Sequence, residues 1–83
     1  MFRIAIAEDD EDCARQLREY LERYGRENGE ELEIRWFPDG MELTEEYRPV
    51  YDLLLLDIEM PHLDGMTAAH KIRCVDSEVL ILF

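Results

Sequence analysis

Four consecutive leucines followed by an aspartate constrain the fold of this chain more than any other feature. The run Leu53–Leu56 has no polar alternation, which is typical of a parallel strand that is buried on both faces. Asp57 follows the run directly, and a turn leads from it to a helical pattern that begins at Gly65. Open α/β sheets bind their ligands at the carboxyl ends of such strands. The sequence therefore predicts that Asp57 lies at the functional edge of a parallel sheet.

A second acid-tipped strand lies at the start of the chain. The segment Ile4–Ala7 is apolar throughout, and the acidic residues Glu8, Asp9 and Asp10 follow it. Carboxylate oxygens are the ligands that hard divalent cations prefer in proteins. Two acid-tipped strands in one small domain therefore predict a divalent-cation site with a reactive carboxylate.

The whole chain alternates between strand and helix patterns. Strands are predicted at 3–8, 32–37, 52–56 and 79–83, and helices at 11–28, 41–47 and 65–73. The order β-α-β-α-β-α-β predicts an α/β fold, a doubly wound parallel sheet with helices on both faces. A strand order of 2-1-3-4 would place the first and third strands side by side, so that their acidic tips become neighbours.

Local signals predict the ends and the buried faces of the helices. Either Asp10 or Asp12 caps the first helix, and Asp64 caps the third. Either Gly25 or Gly29 ends the first helix. The buried stripes expected from the helical period are Cys13, Ala14, Leu17, Tyr20, Leu21 and Tyr24 in the first helix and Met66, Ala69 and Ile72 in the third.

Composition argues against several kinds of partner. The chain has 21 acidic and 9 basic residues and a net charge of −12. No basic patch is available to neutralise phosphates, so we expect neither direct nucleic-acid binding nor attachment to an anionic membrane. No apolar stretch approaches the ~20 residues of a membrane span, and the N-terminus enters a strand without a signal peptide. Cys13 and Cys74 are interpreted as small apolar residues on helices, which fits a reducing cytoplasm.

The acidic tips predict a specific chemistry if Asp9, Asp10 and Asp57 share one cleft. Two carboxylates ~5 Å apart repel by roughly 3 kcal/mol at an effective dielectric near 20. Such a cluster must protonate, spread apart or bind a cation, and oxygen-only ligation suits Mg²⁺. A carboxylate beside Mg²⁺ can also act as the nucleophile in phosphoryl transfer, which yields an acyl phosphate.

These residues resemble the receiver domain of two-component response regulators. The segments that carry the resemblance are Ile4–Asp10 and Asp52–Met66, the second of which contains the pattern Asp-x-x-Met-Pro-x-x-Asp-Gly-Met. The resemblance implies a flavodoxin-like fold in which Asp57 is the phosphoacceptor. It also implies that Mg²⁺ binds in the acidic pocket and that a sensor histidine kinase supplies the phosphoryl group.

The same resemblance assigns the remaining site residues. Asp10 matches the direct Mg²⁺ ligand, and Asp9 matches the acid that holds the metal mainly through water. The backbone carbonyl of Glu59 matches the remaining protein ligand. Pro61 and Gly65 match positions that shape the loop.

The resemblance covers only the first three and a half of about five βα units in the family domain. It therefore implies that residues 1–83 are the N-terminal part of a receiver domain that controls an absent output domain, a transcriptional one of the LytTR type. The family's switch Ser or Thr would follow the fourth strand, and its active-site Lys would follow the fifth, so neither has a counterpart in residues 1–83. The single lysine, Lys71, falls on the third helix and does not match the family position. The last strand, 79–83, would then be an exposed apolar edge, so we expect self-association through it.

Other interpretations remain open. The chain could be a receiver-like dimerisation module that works without phosphorylation. The leucine run also resembles the Walker B strand of nucleotide hydrolases and the nucleophile strand of haloacid-dehalogenase-type phosphatases, but the sequence lacks a phosphate-binding loop, and Glu59 replaces the second aspartate that the phosphatases need. A turnover enzyme is therefore not expected. The plain structural alternatives are that Asp57 only forms a turn, that Glu8 is a surface acid, that His62 and His70 face solvent, and that Trp36 is a packing residue.

Overall fold

The computed structural model describes residues 1–60 and 62–83, and in that part of the chain it shows a parallel sheet with helices on both faces. The sheet order is β2-β1-β3-β4. The expected α/β architecture and strand order are both confirmed. The elements are β1 (Phe2–Ala7), α1 (Glu11–Asn28), β2 (Leu32–Phe37), α2 (Gly40–Glu46), β3 (Leu53–Leu56), α3 (Gly65–Arg73) and β4 (Leu80–Leu82).

The register of the central strands brings their carboxyl ends to the same level. Ala7 at the end of β1 pairs with Phe37 of β2 on one side and with Leu56 of β3 on the other. The ladder continues by one residue on each side, because the Glu8 N–H donates to the Phe37 carbonyl at 3.1 Å and the Asp57 N–H donates to the Ala7 carbonyl at 3.0 Å. The residues that follow β1 and β3 are therefore direct neighbours.

The two faces of the sheet are covered unequally. Helices α2 and α3 pack together on one face and enclose the main core. On the other face α1 lies over β1 and β2, so the side chains of Leu80 and Leu82 on β4 remain 57% and 47% exposed. The core on the covered face comprises Ala5, Ala7, Phe37, Leu43, Leu54, Leu56, Ala68, Ile72 and Val79.

The sequence left two candidate residues for each end of α1, and the structure identifies one of them at each end. Asp10 is the N-cap, and its side chain accepts hydrogen bonds from the N–H groups of Asp12 and Cys13. Gly29 ends the helix with a φ of 65°, a left-handed conformation that glycine adopts without the Cβ penalty. Gly25 instead lies inside the helix, buried against the loop before β2.

The predicted buried stripe of α1 is only partly correct. Ala14 is buried and Leu17 and Leu21 are half-buried, but Tyr20 and Tyr24 are 68% and 56% exposed. An apolar helical stripe is buried only where another element packs against it, and within the described residues none buries these two tyrosines.

Two smaller expectations also need correction, and one cannot be compared with the structure. The buried stripe of α3 is Gly65, Ala68 and Ile72, whereas Met66 is 49% exposed. Both cysteines are exposed rather than packed as small apolar residues. Pro61, which the resemblance assigns to the loop, lies outside the described residues. Within the described residues, no helix is both long enough and apolar enough to cross a membrane.

Candidate functional site

Three carboxylates meet at the carboxyl edge of the sheet. Glu8 and Asp9 follow β1, Asp57 follows β3, and each offers an oxygen within 4.8 Å of the others. Glu8 and Asp57 are half-buried, whereas Asp9 is exposed. We call these three residues the acidic cluster.

The electrostatics of the acidic cluster favour a cation. Burial raises the pKa of the Glu8 carboxyl above its ordinary value, and the nearby charge of Asp57 adds to this effect. The Asp10 N–H, which donates to Glu8 Oε1 at 3.1 Å, lowers the pKa and opposes the rise in part. A divalent cation would relieve the mutual repulsion and replace the missing hydration, and oxygen ligands of this kind suit Mg²⁺.

Asp10 is held away from the acidic cluster by its role as a helix cap. Its Oδ1 accepts the N–H of Asp12 at 2.9 Å and that of Cys13 at 3.3 Å. These bonds lower the pKa of the Asp10 carboxyl. The structure therefore brings together the predicted residues Asp9 and Asp57, adds Glu8, and leaves Asp10 outside; direct ligation by Asp10 stays a prediction.

The acidic cluster includes Glu8 where the sequence predicted Asp10, and the reason is the short connection between β1 and α1. Strand β1 ends at Ala7 and α1 begins at Glu11, so only three residues join them. The first two of these residues lie at the edge of the sheet, and the third must cap the helix. The predicted first strand, 3–8, ended one residue later than the observed strand β1. Each predicted site residue after this strand was therefore shifted by one position.

The loop after β3 fixes the position of Asp57. Its Oδ1 accepts the Glu59 N–H at 3.2 Å, which places the backbone of Glu59 beside the acidic cluster. The Gly65 N–H donates to the Ile58 carbonyl at 2.9 Å, and a Cβ at Gly65 would collide with the Asp57 carbonyl oxygen. Glycine is therefore required where α3 begins, and Asp64 caps that helix as predicted by accepting the Thr67 N–H.

Trp36 contacts the backbone of the site. Its indole Nε1–H donates to the Glu8 carbonyl at 2.7 Å. The sequence assigned Trp36 to packing only, and no sequence signal identifies this bond, because it joins residues on two different strands.

An apolar groove lies beside the acidic cluster on the face that α1 leaves open. It has a volume of about 540 Å³, and Leu17, Leu55 and Leu82 form much of its lining. Glu8, Asp57 and Glu59 lie at its edge. Chemically, the site combines three carboxylates whose spacing suits a cation, an Asp57 carboxylate with one oxygen already hydrogen-bonded, and an open groove on one side.

Comparison with known proteins identifies one family. The family model for the response regulator receiver domain matches residues 4–83. Among curated relatives, the transcriptional regulatory protein RprY of Bacteroides fragilis is 35% identical over 82 residues, which cover 98% of this chain and 32% of that protein. The chain thus spans about a third or less of the length of the first curated relatives that it matches.

Solved structures agree with this result. The non-phosphorylated HemR receiver domain of Leptospira biflexa superposes with a TM-score of 0.86 at 30% identity, covering all of this chain and 63% of that one. The histidine kinase ThkA in complex with the response regulator TrrA gives 0.73 at 33% identity, with 98% and 66% coverage. A Borrelia burgdorferi CheX–CheY complex with BeF₃ and Mg²⁺ gives 0.78 at 26% identity, with 96% and 58% coverage.

Proposed function

The chain belongs to the response regulator receiver domain family of two-component signalling, and we propose that Asp57 is the residue on which it accepts a phosphoryl group. The observation that carries this proposal is the position of Asp57, which directly follows the central strand β3 and offers an oxygen within 4.8 Å of two other carboxylates. Its Oδ1 is engaged by the Glu59 N–H, so Oδ2 is the oxygen directed to the nucleophilic role.

The transfer is a simple exchange of bonds. A carboxylate oxygen of Asp57 forms a bond to phosphorus while the phosphorus–nitrogen bond of a kinase phosphohistidine breaks, and the released histidine nitrogen takes a proton from solvent. The exposed edge of the sheet admits such a donor, and the Glu59 N–H keeps the Asp57 carboxylate in a fixed orientation. The chain acts here as a phosphoacceptor, and we do not assign it turnover of a separate substrate.

We propose that Mg²⁺ binds at the acidic cluster, where the carboxylates of Glu8, Asp9 and Asp57 would hold it. The backbone carbonyl of Glu59 is the remaining proposed ligand, since its residue is already tied to Asp57. When bound, Mg²⁺ would neutralise charge on the phosphoryl oxygens. The CheX–CheY complex, a receiver-like neighbour crystallised with Mg²⁺, supports this assignment by similarity.

Cation titration separates this ligand set from the one that the sequence predicted. In isothermal titration calorimetry, Asp9→Asn and Asp57→Asn should each weaken Mg²⁺ binding by about tenfold or more, as expected for loss of a charged ligand. Asp10→Asn should leave the affinity within about twofold, because asparagine is an equally good N-cap. A loss of Mg²⁺ affinity in Asp10→Asn that equals the loss in Asp9→Asn would restore the direct role of Asp10.

Phosphorylation is tested with a small acyl-phosphate donor. We expect Mg²⁺-dependent incorporation of one phosphoryl group that is lost in Asp57→Asn and is sensitive to hydroxylamine, as an acyl phosphate must be. Asp52→Asn is the matched control, because Asp52 lies at the opposite end of β3 and accepts the Arg3 N–H. Incorporation that persists in Asp57→Asn would contradict the proposal.

The wider context of the domain is part of the same proposal. We assign residues 1–83 to the N-terminal part of a receiver domain in a cytoplasmic response regulator whose output domain controls transcription. The match to 32% of RprY, a transcriptional regulator, supports this context. A sensor histidine kinase is the proposed partner, supported by the ThkA–TrrA complex.

A second proposal concerns another copy of the chain. Strand β4 is an edge strand whose exposed side chains are apolar, whereas the opposite edge strand β2 carries the charged residues Glu33 and Arg35. The Arg18 guanidinium also donates to the Ile34 carbonyl at 2.8 Å, which occupies an acceptor on β2. We assign self-association to the β4 edge, and this interaction would not require phosphorylation.

A further inference from the structure

We propose that Trp36 is a positioning residue for the acidic cluster, acting through the hydrogen bond from its indole N–H to the Glu8 carbonyl. This inference rests on the proposed function, because it concerns how Asp9 is presented to the cation. It assigns to Trp36 a role beyond packing.

The strand register brings Trp36 to this carbonyl. Trp36 on β2 pairs with Ile6 on β1, and its side chain lies on the α1 face of the sheet beside Ile34. From there the ring extends towards the end of β1, where its Nε1 lies 2.7 Å from the oxygen of Glu8. The distance is short for an N–H···O hydrogen bond, whose usual range is ~2.7–3.2 Å.

Two different groups of β2 therefore hold the backbone of Glu8. The Phe37 carbonyl accepts the Glu8 N–H at 3.1 Å, and the Trp36 indole donates to the Glu8 carbonyl at 2.7 Å. The Glu8 carboxylate is tied as well, since its Oε1 accepts the Asp10 N–H at 3.1 Å. Glu8 is thus fixed at its nitrogen, its carbonyl and its side chain.

The carbonyl contact is the one that affects Asp9. The oxygen bound by Trp36 belongs to the peptide group that also contains the Asp9 nitrogen. Rotation of that peptide changes the direction of the Asp9 Cα–Cβ bond, and with it the distance from the Asp9 carboxylate to Asp57. Asp9 is exposed, and the side-chain contact described for it is a hydrogen bond with the neighbouring Glu8 carboxyl. The Trp36 bond to the Glu8 carbonyl therefore restrains the backbone that carries both carboxylates.

The effect on cation binding is bounded by the value of one hydrogen bond. Loss of a single bond of this kind changes an equilibrium by about two- to tenfold. Coupling between two equilibria is reciprocal. If the indole bond favours Mg²⁺ binding, then bound Mg²⁺ must favour the indole bond by the same factor.

The first measurement uses the unaltered protein. Trp36 is the only tryptophan, so its indole N–H gives one resolved signal in a ¹H–¹⁵N spectrum. Saturating Mg²⁺ should slow hydrogen exchange of this indole N–H by about two- to tenfold. An exchange rate that does not respond to bound Mg²⁺ would overturn the positioning role.

The second measurement replaces the Trp36 side chain by its 3-benzothienyl isostere, which keeps the bicyclic shape but has sulfur in place of N–H. Mg²⁺ affinity measured by calorimetry should fall by about two- to tenfold. Ile34→Val is the matched control, because it removes packing on the same face of β2 and no hydrogen bond. It should lower thermal stability slightly and leave Mg²⁺ affinity unchanged.

The outcomes distinguish this inference from the proposed function. If the isostere binds Mg²⁺ as tightly as the wild type does, the positioning role fails while the cation site stands. If the wild-type protein itself shows no Asp57-dependent Mg²⁺ binding, the proposed function fails first. Equal losses of affinity in the isostere and in Ile34→Val would show that Mg²⁺ affinity responds to any disturbance of this face of β2, and would overturn the positioning role of the indole bond.

Discussion

Gly65 determines how closely α3 approaches the end of β3. Its position leaves no room for a Cβ, because the Asp57 carbonyl oxygen occupies that space. Backbone cannot move aside as a flexible side chain can. The residue that carries the proposed chemistry and the residue that permits its loop are therefore coupled by direct contact.

Gly65→Ala should destabilise the fold by about 1–3 kcal/mol, the usual cost of forcing an extra carbon into a packed site. It should also weaken Mg²⁺ binding, because α3 and the Asp57 backbone must separate. Urea denaturation and calorimetry measure the two effects. Gly29→Ala is the control: its φ of 65° makes alanine cost about 1–2 kcal/mol, but Gly29 lies at the far end of α1, so Mg²⁺ affinity should not change.

The acidic cluster itself opposes folding when no cation is bound. Its oxygens lie within 4.8 Å of one another. Asp57→Asn should therefore raise the stability of the metal-free protein at neutral pH by about 1 kcal/mol, after allowance for solvent screening. Added Mg²⁺ should raise the melting temperature of the wild type more than that of Asp57→Asn, because the variant binds the ion less tightly. A variant that melts below the metal-free wild type would contradict this account of the cluster.

At the scale of the elements, one side-chain pair joins α2 to the segment before β4. The hydroxyl of Tyr47, just after α2, donates to Asp76 Oδ2 at 2.5 Å. Asp76 Oδ1 accepts the N–H groups of Glu78 and Val79 at 3.0 and 3.2 Å. Asp76 is only 8% exposed, so these hydrogen bonds compensate for the burial of its charge in the segment before β4.

Tyr47→Phe should lower stability at pH 7 by about 1–2 kcal/mol, because it removes a hydrogen bond to a buried carboxylate. The Tyr47 hydroxyl is the largest cause of the lowered pKa of Asp76. Stability linked to a lowered carboxyl pKa is present above the unfolded value, about 4, and is lost as the pH falls below it. The difference between wild type and Tyr47→Phe should therefore shrink at pH 3.

Urea denaturation at pH 7 and pH 3 measures this change. Tyr20→Phe is the matched control, because the Tyr20 side chain is 68% exposed on α1. It should leave stability unchanged at both pH values. A Tyr47→Phe deficit that is equally large at pH 3 would show that the ring, and not the hydroxyl bond, carries the stability.

At the scale of the whole molecule, the two edges of the sheet are chemically unlike. The β2 edge is charged and is contacted by α1, whereas the β4 edge ends in Leu80–Phe83 without a charged residue. The backbone N–H and C=O groups of alternate residues on an edge strand point outward and can pair with another chain. A two-fold symmetric pairing would bring β4 against β4 of a second copy.

Leu80→Lys should weaken this dimer by about tenfold or more, because two like charges would lie close together across the two-fold axis. Sedimentation equilibrium measures the change in mass. Val75→Lys is the control, since it places the same charge on a side chain that is 64% exposed outside β4. A wild-type protein that stays monomeric at the highest attainable concentration would contradict the proposed interface.

Patterns local to the sequence determined much of this protein. The alternation of apolar runs and helical stripes predicted every strand and helix and the parallel sheet. The order 2-1-3-4, expected with the flavodoxin-like fold that the resemblance implies, is confirmed by the structure. The apolar run followed by Asp57 predicted the edge of the sheet at which the acidic cluster lies. These features follow from periodicity and from the chirality of β-α-β connections, which do not depend on tertiary detail.

Tertiary structure alone decided which groups meet at the site. The end of β1 at Ala7 places Glu8 rather than Asp10 beside Asp57, because the third residue of a three-residue connection is needed to cap α1. The bond from Trp36 to the Glu8 carbonyl depends on strand register, which no single segment encodes. Likewise Tyr20 and Tyr24 fit a buried stripe yet remain exposed, because burial requires an opposing surface as well as an apolar face.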